Sequence, residues 1–330
     1  MSTQTVPVSG TTLRGLLEHL PPITTIGPFL ALFLACAFFA SQTDRFLAGQ
    51  NFSLILQQVM VVGVIAIGQT LVILTAGIDL SCGMIMALGS IVMTKFAVDY
   101  GLNPYVAIAC GLLVCVAFGL LNGALITMVR LPPFIVTLGT LNIAFAITQI
   151  YSQSQTVTGL PDALVGLGNT FHIGQTAVTY GTVLMLGLYL FTWYMLRQTT
   201  YGRHIYAVGN NPEATRLMGI PTARLLLSVY TLAGVLYAIA ALLAVARTGV
   251  GDPQAGQTDN LDSITAVVLG GTSLFGGRGM ILGTLVGALI VGVFRNGLTL
   301  MGVPSVYQIL ITGILVILAV ATDRISRRRG

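Results

Sequence analysis

Apolar runs recur along the chain at 24–40, 52–75, 82–96, 105–129, 133–151, 177–196, 225–246, 263–275, 280–301 and 305–322. The stretches between them hold nearly all the charge. A helix of about 20 apolar residues crosses a hydrocarbon core about 30 Å thick, and a helix satisfies its own backbone polar groups there. The pattern therefore predicts an all-α polytopic membrane protein with about ten membrane-embedded helices. The runs at 82–96 and 263–275 are short, which predicts broken or partial elements near 77–83 and 271–279. The span 1–330 reads as one transmembrane domain.

Composition agrees with a bilayer as solvent. Apolar residues make up 55% of the 330-residue chain, charged residues 8%, and mean hydropathy is +0.90. A soluble domain carries about 25% charged residues, so this chain lacks the polar material to clothe a globule. Disorder, collagen and a disulfide-stapled scaffold are excluded by the same numbers. The 39 glycines suit close helix packing in lipid. Cys36, Cys82, Cys110 and Cys115 lie in or beside apolar runs without CxxC spacing and read as packing residues. His172 and His204 fall in loops without metal-ligand company, so no metal site is expected.

Arginine placement sets the sidedness, because positive residues stay in the cytoplasm. Arg197, Arg203, Arg216 and Arg224 stand against Glu213 alone in 197–224, whereas 152–176 contains no Lys or Arg. The first loop is thus expected inside and the second outside. Counting spans outward puts both termini inside, in agreement with Arg14 in a cytoplasmic segment 1–23 and with Arg324, Arg327, Arg328 and Arg329 in a basic tail, 323–330. Arg45, Lys95 and Arg247 sit at or near the outer side, each isolated. The net charge of +5 is accounted for by this topogenic pattern, not by nucleic-acid binding. A small-residue triplet at 35–37 resembles a signal cleavage site, but the polar leader before it, with Pro21-Pro22, is too long. An uncleaved first helix is expected.

The string 75–83, TAGIDLSCG, interrupts more than forty apolar residues with a carboxylate. Gly77 is placed to end one helix in a left-handed conformation, and Asp79 or Ser81 to cap the next. Two readings stand: a capped turn at the cytoplasmic interface, and a discontinuous element lining a path. The segment GTSLFGG at 271–277 echoes GIDLSCG at 77–83, with Gly-Met-Ile following in each. Gly271 and Ser273 become the counterparts of Gly77 and Asp79, and an internal repeat is implied.

At these residues the chain resembles a known family. The string GQTLVILTAGIDLS at 68–81 resembles the signature of bacterial sugar permeases of ATP-binding cassette importers, the ribose, xylose, galactose and fructose group. So do Tyr201-Gly202-Arg203, the segment 207–220 and DSITAVVLGGTSL at 262–274. The likeness runs from about 52 to 321 and departs from the common pattern at Met84 and Asn260, which bears on substrate. It implies a homodimeric permease of the bacterial inner membrane that imports a monosaccharide or polyol by alternating access. Its implied partners are ABC ATPase subunits and a periplasmic sugar-binding protein. No GxxxxGK[ST] loop is present, so the chain is not expected to be an enzyme or to bind ATP and Mg itself.

The segment PEATRLMG at 212–219 reads as a short helix with Pro at its start, an early acid and Gly at its end. The resemblance makes Glu213, Ala214, Leu217, Met218 and Gly219 the coupling element that meets the ATPase. Sugar hydroxyls need partners that donate and accept. Gln58 and Gln69, eleven apart, share a helix face, as do Asn142 and Gln149, seven apart. With Asn122 and Arg295 they form the expected substrate pathway, interhelical hydrogen-bond glue being the alternative for each amide. An ion-coupled carrier is the competing function. It would use Asp79 and Arg295 for coupling and would have no need of a docking helix. No cluster of catalytic side chains shares one membrane depth, which argues against a membrane enzyme.

Overall fold

The structure, a computed structural model, describes residues 23–174 and 176–329. The segment 1–22, with Arg14 and Pro21-Pro22, lies outside the described residues, as do the side chains of the basic tail. Each of the ten apolar runs contains a helix: α1 (Ile23–Gln42), α2 (Gly49–Leu74), α3 (Cys82–Val98), α4 (Pro104–Thr127), α5 (Pro133–Ser152), α7 (Tyr180–Gln198), α10 (Thr222–Thr248), α11 (Asp259–Leu269), α12 (Ile281–Leu300) and α13 (Ser305–Arg329). Three short helices complete the set: α6 (Asp162–Val165) before α7, then α8 (Thr200–Asn210) and α9 (Pro212–Leu217) in the basic loop. Among the described residues five helices, α2, α4, α5, α10 and α12, are long and apolar enough to cross a membrane by themselves.

The apolar-all-round helix α2 is the axis of the molecule. Met60, Val64, Ile65, Ala66, Ile67 and Leu71 are fully buried on every side of it, as expected of a helix without a polar face. Around it pack α3, α7, α10, α11 and α12. By contrast α1, α4 and α5 turn large side chains outward, with Phe33 67% and Ile150 77% exposed, the composition of surfaces made for lipid or another chain. Small residues bring helices close. A Cβ on Gly234 of α10 would lie 2.7 Å from the Cys115 carbonyl of α4, and one on Gly119 would lie 2.5 Å from the Tyr230 carbonyl, so this crossing admits no larger side chain.

Three expectations are corrected. The sixth run does not begin as helix: Thr170–Ile173 and Thr176–Thr179 form an antiparallel hairpin, β1 and β2, with Thr170 opposite Thr179. Its β-branched residues favour the extended state, and Thr179 caps α7 by accepting from the Thr182 N–H at 3.2 Å. The eighth run shifts toward the N-terminus, because Asp259 and Asp262 occupy the first turn of α11, where carboxylates favour a helix start. At 11 residues and about 1.5 Å per residue, α11 is only a half-membrane element. Helix α13 continues through the basic tail to Arg329.

The third correction concerns the interruptions. Ala76, not Gly77, adopts the left-handed conformation, with φ 62°. The Ala76 N–H bonds the Ile73 carbonyl and the Gly77 N–H the Val72 carbonyl, which is a Schellman ending with Ala76 just past the helix. Gly77 is required for space instead, since a Cβ there would lie 2.5 Å from the Tyr230 hydroxyl. The same ending closes α11. Gly271, φ 85°, bonds the Val268 carbonyl, and Thr272 bonds the Val267 carbonyl. The repeat thus exists in the backbone, but it pairs Ala76 with Gly271, one residue off the sequence echo.

Candidate functional site

The segment 78–81 doubles back into the bundle instead of resting at its end. Gln69, one and a half turns before the end of α2, donates from Nε2 to the Asp79 carbonyl at 2.8 Å. Thr137 of α5 donates to the Ile78 carbonyl at 3.1 Å, and Asn260 of α11 to the Leu80 carbonyl at 3.3 Å. Three successive carbonyls without helical partners are therefore satisfied by three different helices, as buried backbone requires.

Asp79 is 1% exposed and lies at the centre of this clamp. Its Oδ1 accepts from the Ser81 N–H at 2.8 Å and the Ser81 hydroxyl at 2.5 Å, and its Oδ2 accepts from the Tyr237 hydroxyl of α10 at 3.0 Å. Ser81 Oγ accepts in turn from Asn122 Nδ2 of α4 at 3.0 Å, and Asn122 Oδ1 accepts from the Thr140 hydroxyl of α5 at 2.8 Å. Neither Asp79 nor Ser81 caps α3 through its side chain. Asp79 closes a local turn with Ser81 and ties it to α10, because its oxygens meet those donors before the first N–H groups of α3. The clamp takes up Gln69 and Asn122 from the expected pathway and buries both completely. Gln58 is not brought to it: half-buried on α2, it keeps Oε1 covered without a hydrogen-bond partner among the described residues. In the second interruption Ser273 plays the turn-forming part, its Oγ accepting from the Phe275 N–H at 3.4 Å.

A second group lies between α5 and the loop 249–258. Asn142 is exposed and lines a cavity of about 270 Å³ with Leu80, Met84, Phe145, Gln257 and Asn260. Farther along α5, Gln149 donates to the Pro253 carbonyl at 3.0 Å and accepts from Gln254 at 3.5 Å, and Gln257 donates to Gln254. The structure thus brings Asn142 and Gln149 together with three amides that the sequence reading did not select, forming a seam of donors and acceptors beside one aromatic ring. In the sequence Asn260 stands out only as a departure from the family pattern. Arg295 pairs with Asp262 at 3.4 Å and stays half-exposed.

The basic loop builds the third group. Asn211 caps α9 by accepting from the Ala214 N–H at 2.9 Å, the Thr215 hydroxyl returns to the Asn211 carbonyl at 2.7 Å, and Gly219 ends the turn at φ 84°. Glu213 and Arg216 pair at 3.1 Å on the surface. Leu217 is 83% and Met218 68% exposed, an apolar tip with no partner within the described residues. The stalk beneath it, α8, ends against both interruptions. A Cβ on Gly209 would overlap the Leu74 carbonyl and lie 2.6 Å from the Gly277 nitrogen, and Gly277 itself donates to the Leu74 carbonyl at 3.0 Å.

A family described as the branched-chain amino acid transport system permease component matches residues 51–320. The chain is 46% identical to a fructose import permease of Rhizobium meliloti over 91% of its own length and 85% of that protein's. It is 41% identical to a ribose import permease of Bacillus subtilis, covering 91% and 92%. The chain belongs to the permeases of ATP-binding cassette sugar importers. A D-allose transport system permease of Escherichia coli is 36% identical over 91% of both chains. No solved structure matches the permease. As a permease component it is a multi-pass protein of the inner membrane, and ATP hydrolysis occurs on the separate ATPase.

Proposed function

We propose that the permease imports a monosaccharide or polyol by alternating access, as a homodimer docked on two ATPase domains and fed by a periplasmic sugar-binding protein. The observation that carries this reading is the amide seam of Asn142, Gln149, Gln254, Gln257 and Asn260 beside Phe145. Amides donate and accept, as sugar hydroxyls do, and a ring face beside them suits the C–H face of a sugar. Met84 and Asn260, the two departures from the family pattern, both line the seam cavity, which supports a part for this wall in choosing the substrate. In this reading Gln69 and Asn122 hold the wall in shape from behind, α9 meets the ATPase with Leu217 and Met218, and both termini face the cytoplasm.

The test is uptake of radiolabelled fructose, ribose and allose by proteoliposomes holding the permease, its ATPase and its binding protein. Uptake of at least one sugar is expected, requiring ATP and the binding protein and indifferent to a dissipated proton gradient, from a complex whose mass includes two permease copies. Uptake driven by an ion gradient without ATPase would overturn the reading in favour of a carrier.

A further inference from the structure

At the end of the bundle opposite α9, the last turn of α10, the loop 249–258 and the start of α11 enclose a second cavity of about 200 Å³. Arg247, Gln254, Gln257, Thr258, Asp259 and Arg295 lie on its wall. Arg295 is already tied to Asp262. Asp259 faces both Arg295 and, less strongly, Arg247 electrostatically, yet neither Arg247 nor Asp259 makes an ion pair or side-chain hydrogen bond among the described residues.

Ionisable groups on the wall of a polar cavity that are not spent on one another are candidates for holding a ligand. A charged pair kept apart across a polar cavity has a gap that a third party with both donors and acceptors would close. A carboxylate only accepts, a guanidinium only donates, and a hydroxyl does both. The volume limits the occupant to one small molecule, below the roughly 300–1,000 Å³ of sites for larger ligands. The half-membrane helix α11 begins at this wall, the arrangement by which discontinuous helices present their ends to cargo. Gly256 and Gln257 are shared with the seam cavity, so the two spaces are neighbours across one loop.

We propose that this cavity is an outer sugar subsite, in which Asp259 and Arg247 bracket the hydroxyls of one monosaccharide before it crosses the Gly256–Gln257 wall into the seam. The proposal rests on the sugar-import reading and adds to it where sugar is held and by which groups. In the same proteoliposomes, sugar moved per ATP hydrolysed is measured for wild type, Asp259→Asn and Arg247→Met, with fructose, ribose and allose and their monodeoxy derivatives. Each variant is expected to keep the ATPase stimulation given by loaded binding protein. Each is expected to lower the transport ratio by about 10- to 100-fold, the loss of a charge-assisted hydrogen bond, and to narrow the preference for the parent sugar over its deoxy forms. Wild-type transport ratio and preference in both variants would overturn the subsite alone. Loss of ATPase stimulation in both would also overturn it, since the two groups would then be structural supports. Absence of sugar uptake by the wild-type complex would overturn the sugar-import reading itself.

Discussion

A single buried carboxylate shows how charge and geometry separate in this protein. Asp79 accepts three hydrogen bonds, two from Ser81 and one from Tyr237, and has no cationic neighbour among the described residues. Its geometry survives in an amide: Asn keeps Oδ1 toward Ser81 and turns Nδ2 toward the Tyr237 oxygen. Ala leaves the Ser81 N–H and the Tyr237 O–H without their acceptor, at about 1–3 kcal/mol for each buried group. Asp79→Asn is therefore expected to retain most uptake at normal abundance, and Asp79→Ala to lose most of it, with protein level followed by immunoblot. Equal loss in both would assign the work to the charge. Asp79 itself is legible in the sequence because a carboxylate in an apolar run stands out. Tyr237 is not, because a tyrosine inside the long apolar run of α10 breaks no pattern and its partner lies 158 residues away.

At the scale of elements, α8 and α9 form a lever whose inner end rests on both interruptions and whose outer end is the Leu217–Met218 tip. An Asp at Leu217 must be desolvated in any docking groove, at a cost of a few kcal/mol, enough to lose the contact. Leu217→Asp is expected to abolish co-purification of the ATPase and uptake together. Gly209→Val would force α8 away from Leu74 and Gly277, so it is expected to keep the ATPase bound while uncoupling hydrolysis from transport. Wild-type ATPase stimulation in a Leu217→Asp complex would remove α9 from the coupling role. The lever's outer end was readable from Pro212, Glu213 and Gly219, since caps and breakers are local signals. Its inner end is not, because Gly209, Gly277 and Leu74, from three segments, carry no shared spacing. The repeat was readable by composition and misread by one residue for a related reason. The Schellman ending is a backbone pattern, and Ala76 adopts a conformation that the sequence offers to Gly77.

In the whole molecule, the pattern of apolar runs sufficed for the helices because lipid permits little else. It does not tell which helix is central, since α4 is more apolar in sequence than α2, while α2 is buried and α4 exposed. That difference leaves the outward faces of α4 and α5 free for lipid or a second copy, and the proposed function makes the seam between α5 and the loop 249–258 the wall of the path. The most direct test of this account is the accessibility of Asn142→Cys, introduced after Cys36, Cys82, Cys110 and Cys115 are replaced by Ala, to a membrane-impermeant thiol reagent. In the assembled importer the account predicts that the seam is labelled from one side of the membrane without nucleotide and from the other with ATP trapped, the switch disappearing in Leu217→Asp. Labelling from the same side at the same rate in both nucleotide states would contradict it.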